Sequence, residues 1–114
     1  MEIQKTRAQF KAKLAASGWD RVLNEFIDSS EFETLMKALA VKHVEGVLTP
    51  SIKQVFRPFY ECPYKDLSII IMGQDPYPEE GEADGLAFSS GNNRDITPEL
   101  KVMFQEIQDT VYKP

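Results

Sequence analysis

Apolar residues recur at helical spacing through the first half of the chain and then bunch into one continuous run. Gln4 to Ala16 is rich in Lys, Ala, Gln and Leu, all good helix formers, and Gly18 breaks the pattern. Trp19, Val22, Leu23 and Phe26 keep helical spacing from Trp19 to Ile27. Ser29 or Ser30 can cap a third helix, in which Phe32, Leu35, Met36, Leu39, Val44 and Val47 follow a period near 3.6, with Gly46 near its end. Thr49-Pro50 is a helix-start signal leading into Ser51 to Phe56, and Pro58 is expected to close that segment. Leu67 to Gly73 then reads as a nearly continuous β-branched run ending in glycine, which predicts a strand buried on both faces of a parallel sheet. A loop from Gln74 to Gly85 follows, dense in Pro, Gly and acid, and Leu86 to Ser89 is a candidate second short strand. Thr97-Pro98-Glu99 opens a last helix through about Val111, with Leu100, Met103, Phe104 and Ile107 on one face.

The pattern predicts an α/β fold whose sheet is unfinished. A strand buried on both faces needs hydrogen-bonding neighbours at both edges, and Leu86–Ser89 is too short to serve both. Pro114 follows a helix, where an α/β chain would return to the sheet. More chain, another molecule or a rearranged topology is expected to supply the missing edges, with self-association through the open edge as one outcome.

Composition narrows the setting. The 114 residues are 42% hydrophobic, 27% charged and 11% aromatic, the profile of one soluble globular domain. No apolar run is long enough to span a bilayer, and residues 1–20 lack a signal-peptide layout, so no membrane partner is expected. The single cysteine, Cys62, excludes an internal disulfide framework and any zinc site that needs two cysteines from this chain. A reducing, cytoplasmic setting follows as the expectation. Thirteen Lys+Arg against eighteen Asp+Glu give a net charge of −5, which at first sight argues against nucleic acid. The charge is uneven, however. Residues 1–60 carry nine basic and seven acidic side chains, residues 61–114 four and eleven. Glu79, Glu80, Glu82 and Asp84 supply much of the excess from one short stretch.

The candidate chemistry lies at the end of the predicted strand, in Gly73-Gln74-Asp75-Pro76-Tyr77 and Gly85-Leu86-Ala87-Phe88-Ser89. Loops after strand C-termini hold the functional groups of open α/β folds. An acid, a tyrosine and a phenylalanine within fifteen residues could frame a pocket for a flat ring; equally, Asp75-Pro76 could start a turn and both aromatics could belong to a core. A metal module is the first rival. An EF-hand loop starting at Asp75 fails, because Tyr77, Glu80 and Leu86 stand where an oxygen ligand, a glycine and a glutamate are needed. Neither a metal nor an organic cofactor is expected. A DNA mimic would need acidity spread over a surface, whereas here it is confined to one loop. His43, the only histidine, reads as a helix-face residue.

The segment IIIMGQDPYPEEGEADGLAFSS closely resembles the water-activating motif of the family 1 uracil-DNA glycosylases, whose pattern is a hydrophobic strand, GQDPYH, a short loop and GLAFS or GLCFS. Flanking stretches are similar too. Gly18-Trp19-Asp20-Arg21-Val22-Leu23 resembles the family's early Trp-containing segment, and Thr49-Pro50 with Lys53, Val55, Phe56 and Phe59 resembles its YPP-x-K-x-x-F-x-A-F helix. Ile96-Thr97-Pro98-Glu99-Leu100 sits where the family has its PPSL loop. The resemblance covers most of this chain but about the N-terminal half of the family's catalytic domain. It implies a partial three-layer α/β/α glycosylase fold: N-terminal helices over residues 1–60, then strand, catalytic loop and helix over 61–114, with the first strand or strands of a parallel sheet.

The resemblance also implies roles. The family flips uracil out of DNA and hydrolyses its N-glycosidic bond, the first step of base excision repair. Asp75 matches the aspartate that orients the attacking water and stabilises positive charge developing on the sugar. Gln74 and Asp75 match positions whose backbone N–H groups contact a uracil carbonyl. Tyr77 matches the residue whose ring rejects the methyl group of thymine, and Phe88 the one that stacks on the flipped base. Thr97 and Pro98 match the DNA-contacting loop. The departures are Pro78 and Asp84 at frequent histidine positions, and Glu99 at a serine that contacts a phosphate. They suggest a divergent branch, viral or mobile-element in origin, with weakened phosphate contacts. The family's second half supplies an asparagine that reads uracil, a histidine that stabilises the leaving anion and a wedge leucine, none with a counterpart here. The 114 residues alone are therefore expected to be inactive or very weak. The competing reading is an inactive half-domain that binds protein or acts as one part of a split enzyme.

Overall fold

A computed structural model describes residues 2–91 and 96–112, and the chain divides into two units. Pro114, on which part of the unfinished-sheet expectation rests, lies outside the described residues. The first unit comprises Met1–Leu48 with Phe56–Ile70, the second Thr49–Val55 with Ile71–Pro114.

The first unit is helical: α1 (Ile3–Ala15), α2 (Trp19–Ile27), α3 (Ser30–Glu45), α4 (Arg57–Glu61) and a single 3-10 turn, Tyr64–Asp66. Gly18, at φ 79°, takes the left-handed conformation that lets α1 end and α2 begin within three residues. Ser29 caps α3 by accepting a hydrogen bond from the Phe32 N–H at 3.2 Å. Gly46 ends α3 at φ 76°, its N–H donating to the His43 carbonyl at 3.1 Å. Phe10, Leu14, Trp19, Ile27 and Phe32 are buried together, with Ile3, Leu23, Met36, Phe56, Phe59 and Leu67 packed around them. Edge-to-face ring contacts join Phe10 to Phe56 at 4.7 Å and Trp19 to Phe59 at 5.0 Å. The Trp19 indole N–H donates to the Cys62 carbonyl at 2.8 Å, so the buried ring leaves no polar atom unpaired. Arg7 on α1 donates to the carbonyls of Ile27 at 2.8 Å and Ser29 at 3.0 Å, placing a cation where the dipole of α2 is negative.

The second unit contains α5 (Pro98–Thr110) and the motif loop. Thr97 caps α5, its hydroxyl accepting from the Leu100 N–H at 3.3 Å. The loop closes on itself through an antiparallel bridge between Ala83 and Ser90 and a bond from the Gly91 N–H to the Glu82 carbonyl at 2.8 Å. Glycine suits position 91 because a Cβ there would lie 3.1 Å from the Gly81 carbonyl oxygen. Among the described residues no helix is long and apolar enough to cross a membrane.

Three expectations change. Leu67–Gly73 forms no strand: among the described residues no backbone–backbone hydrogen bond involves 68–76, and Ile69 to Met72 are 62–87% exposed. A strand exists only through a neighbour's backbone groups, and none of the described residues supplies them. Hence the described residues are helical with loops, without the sheet of the expected α/β class. Leu86–Ser89 is a turn, closed by the Ser89 N–H donating to the Leu86 carbonyl at 3.1 Å, because Gly85 and Phe88 take positive φ values that a strand cannot hold. Finally, Ser51–Phe56 is a run of turns, and helix begins at Arg57 with Pro58 in its first turn rather than after it. A proline lacks the N–H that the first helical turn leaves unbonded, so it opens α4 where it was expected to close the segment.

Candidate functional site

Both halves of the motif meet around one cavity of about 490 Å³ within the second unit. Gln74, Asp75 and Tyr77 line it from one stretch, Asp84 and Phe88 from the other, and Glu99 reaches it from the first turn of α5. Pro50 and Val55 complete the wall. The size suits a small planar molecule, since ligand pockets run from about 300 to 1,000 Å³. Gln74 and Asp75 are exposed, whereas Tyr77 and Phe88 are half-buried.

Two hydrogen-bonded groups order this wall. Phe88 stands at φ 66°, in the left-handed region that side chains seldom adopt. Its carbonyl accepts from the Thr97 hydroxyl at 2.7 Å, and Thr97 is only 3% exposed. Asp84, 6% exposed, accepts from the Leu86 N–H at 3.1 Å with one carboxylate oxygen and from the Ser89 hydroxyl with the other. At the rim, the Tyr77 hydroxyl donates to the Glu99 carboxylate at 3.1 Å, and the Tyr77 carbonyl accepts from the Thr49 hydroxyl at 3.4 Å.

Charge at the rim is negative. A hydrogen bond involving Thr97 lowers the Tyr77 pKa, but lost hydration, the bond to Glu99 and the charges of Glu99 and Glu82 outweigh it, so the phenol stands above its usual 10.0. Glu82 is raised above 4.5, first by its hydrogen bond with Glu79, then by partial burial and the charges of Glu79 and Glu99. A phosphate approaching this rim meets like charge.

The structure thus brings together Gln74, Asp75, Tyr77 and Phe88. Of the two residues matched to DNA contact, Thr97 is buried with its hydroxyl engaged by Phe88 and Leu100, while Pro98 is exposed at the start of α5. The sequence reading missed the bracing by Asp84 and the Tyr77–Glu99 bond. Asp84-Gly85 is a recognisable turn signal for the first; nothing in the sequence signals the second. His43 lies exposed in the last turn of α3, in the first unit. A second cavity of about 610 Å³, lined by Ser17, Asp20, Arg21, Tyr64 and Lys65, lies in that unit and holds none of the motif residues. Among the described residues no group of three or more His, Cys, Asp or Glu could hold a metal ion.

Comparison with known proteins agrees with the motif. The chain is 36% identical over 98 residues to a protein of Porphyromonas gingivalis named uracil-DNA glycosylase, an alignment covering 86% of this chain and 44% of that one. A Borreliella burgdorferi protein of the same name is 36% identical over 103 residues, covering 89% and 46%. One from Psittacid herpesvirus 1 is 33% identical over 111 residues, covering 86% and 31%. No family model matches the chain. No solved structure matches it. The chain is similar to these proteins over most of its own length, and it spans less than half of theirs.

Proposed function

We propose that this chain carries the water-activating and base-holding part of a uracil-DNA glycosylase. The observation that carries the reading is the convergence of Gln74, Asp75, Tyr77 and Phe88 on one cavity, in a chain whose relatives bear that name. The substrate is uracil flipped from single- or double-stranded DNA. Phe88 offers an aromatic face for the flipped base, and Tyr77 closes the side where a 5-methyl group would lie. The bond between the sugar C1′ and the base N1 breaks with its electron pair leaving on the uracil. The carboxylate of Asp75 faces the cationic sugar, accepts a hydrogen bond from the water that adds to C1′ and takes up the proton that this water gives up. No metal or organic cofactor enters this chemistry.

Asp75 is exposed, and a carboxylate stabilises a nearby cation far better in a dry site. We assign the drying of the site, and the remaining groups that read uracil and stabilise its anion, to the portion of the relatives that this chain does not span. In the same reading, residues 68–72 become the first strand of a parallel sheet once that portion pairs with them, giving the three-layer α/β/α fold. The exposure of Ile69 to Met72 favours this, since four adjacent apolar side chains in water are costly unless covered. It equally favours a second reading, an inactive half-domain whose exposed run binds protein.

A gel assay of uracil release from single-stranded DNA separates the two. The 114 residues are assayed with and without a polypeptide covering the unmatched part of the Porphyromonas gingivalis relative. The glycosylase reading expects release in the mixture and little from the chain alone. No release in a mixture that demonstrably forms a complex favours the binding module.

A further inference from the structure

The cavity presents the ring of Phe88 from a backbone conformation that has to be held in place. At φ 66° an L residue is disfavoured by roughly 1–2 kcal/mol, so an unbraced turn would relax and carry the ring with it. Thr97 holds one side of the residue, through the carbonyl. The other hold comes from Asp84, four residues earlier. Its carboxylate spans the turn: one oxygen accepts from the Leu86 N–H, two residues before Phe88, and the other from the Ser89 hydroxyl, immediately after it. Gly85, at φ 94°, lets the chain fold back so that both donors reach one side chain.

We propose that Asp84 is the positioning residue of Phe88, fixing the turn 84–89 so that the ring forms the stacking wall of the cavity. Burial makes the arrangement exacting. A carboxylate with 6% exposure needs hydrogen-bond donors in place of water, and two of its donors stand on either side of the aromatic residue. Asparagine cannot reproduce it fully. Its single carbonyl oxygen can satisfy one donor, and its NH₂ group then faces the other. The stacking part of this inference rests on the uracil reading; the bracing of the turn does not.

The test uses the full chain and free uracil followed by NMR. Wild-type protein is expected to shift the H5 and H6 protons of uracil upfield, the signature of a base lying over an aromatic face. Asp84→Ala is expected to bind uracil about tenfold more weakly. It should also show a smaller bound shift and faster exchange of the Leu86 amide, with Asp84→Asn and Ser89→Ala intermediate. A full bound shift in folded Asp84→Ala overturns the proposal. If Asp84→Ala fails to fold, Asp84→Asn and Ser89→Ala carry the comparison, and a wild-type shift in both overturns it. If wild-type protein causes no uracil shift, the 114 residues do not hold the base alone, and the resonances of the Phe88 ring decide the brace: displaced in the Asp84 variants they support it, unmoved they refute it.

Discussion

The hydroxyl of Thr97 donates to the carbonyl of Phe88 at 2.7 Å while accepting from the Leu100 N–H at 3.3 Å. One buried side chain therefore caps α5 and holds the motif turn. Thr97→Ala is expected to lose both functions and to destabilise the protein by about 1–2 kcal/mol, measured by urea unfolding. Thr97→Ser keeps the hydroxyl and should recover most of the loss. Equal destabilisation by both would show that the methyl group, not the hydroxyl, matters.

The backbone at Phe88 makes a second prediction that is independent of any ligand. Phe88→Ala and Phe88→Gly both remove the ring, yet only glycine accepts φ 66° without strain. The glycine variant is expected to be more stable than the alanine variant by roughly 1 kcal/mol, the reverse of their usual order within helices and strands. Alanine more stable than glycine here would mean the turn has a different conformation in solution.

The Tyr77–Glu99 bond predicts a pH dependence. Its contribution is present below 10.0 and is lost as pH rises through the elevated folded value, because the ionised phenol can no longer donate and faces Glu99 and Glu82. Glu99→Gln should bring the Tyr77 titration back down toward 10.0, followed by NMR of the ring carbons so that Tyr60, which burial also raises, is told apart. A titration unmoved by the substitution would remove Glu99 from the site.

Acid should favour the loop before Asp84. The folded pKa of Glu82 is raised, so its contribution is full below 4.5 and is lost as pH rises through the folded value, when Glu82 gains its charge beside Glu79 and Glu99. Glu79→Gln is expected to lower the Glu82 pKa, read from the side-chain carboxyl carbon. A rise instead would contradict the assigned cause.

The core makes the largest stability prediction. Phe32 is fully buried against Phe10, with ring centroids 5.5 Å apart. Phe32→Ala is expected to cost about 3–5 kcal/mol in urea unfolding. Val44→Ala, on the exposed side of α3, should change little.

Legibility in the sequence followed the range of the forces involved. Local signals were readable: Gly18 and Gly46 mark helix ends, Ser29 and Thr97 mark starts, and α1, α2, α3 and α5 lie where periodicity expects them. The motif also marked the residues that share the cavity. Non-local pairing was not readable. Leu67–Gly73 has the composition of a buried strand, but a strand's hydrogen bonds belong to its neighbours, and the described residues contain none. Val44 and Val47 keep the apolar spacing of α3 yet are exposed, because periodicity marks a face and not its partner. The turn 86–89 reads as a strand because Leu-Ala-Phe is largely apolar, while the positive φ at Phe88 is held by Asp84 and Thr97 from outside that tripeptide.

In the proposed reaction Asp75 drives the breaking of the base–sugar bond. The most direct measurement is the rate of uracil release from single-stranded uracil DNA by wild-type and Asp75→Asn chains, each combined with the polypeptide covering the unmatched part of the Porphyromonas gingivalis relative. Asp75→Asn is expected to lower the single-turnover rate by about a hundredfold or more while DNA binding is retained. Release at the wild-type rate by Asp75→Asn would contradict it.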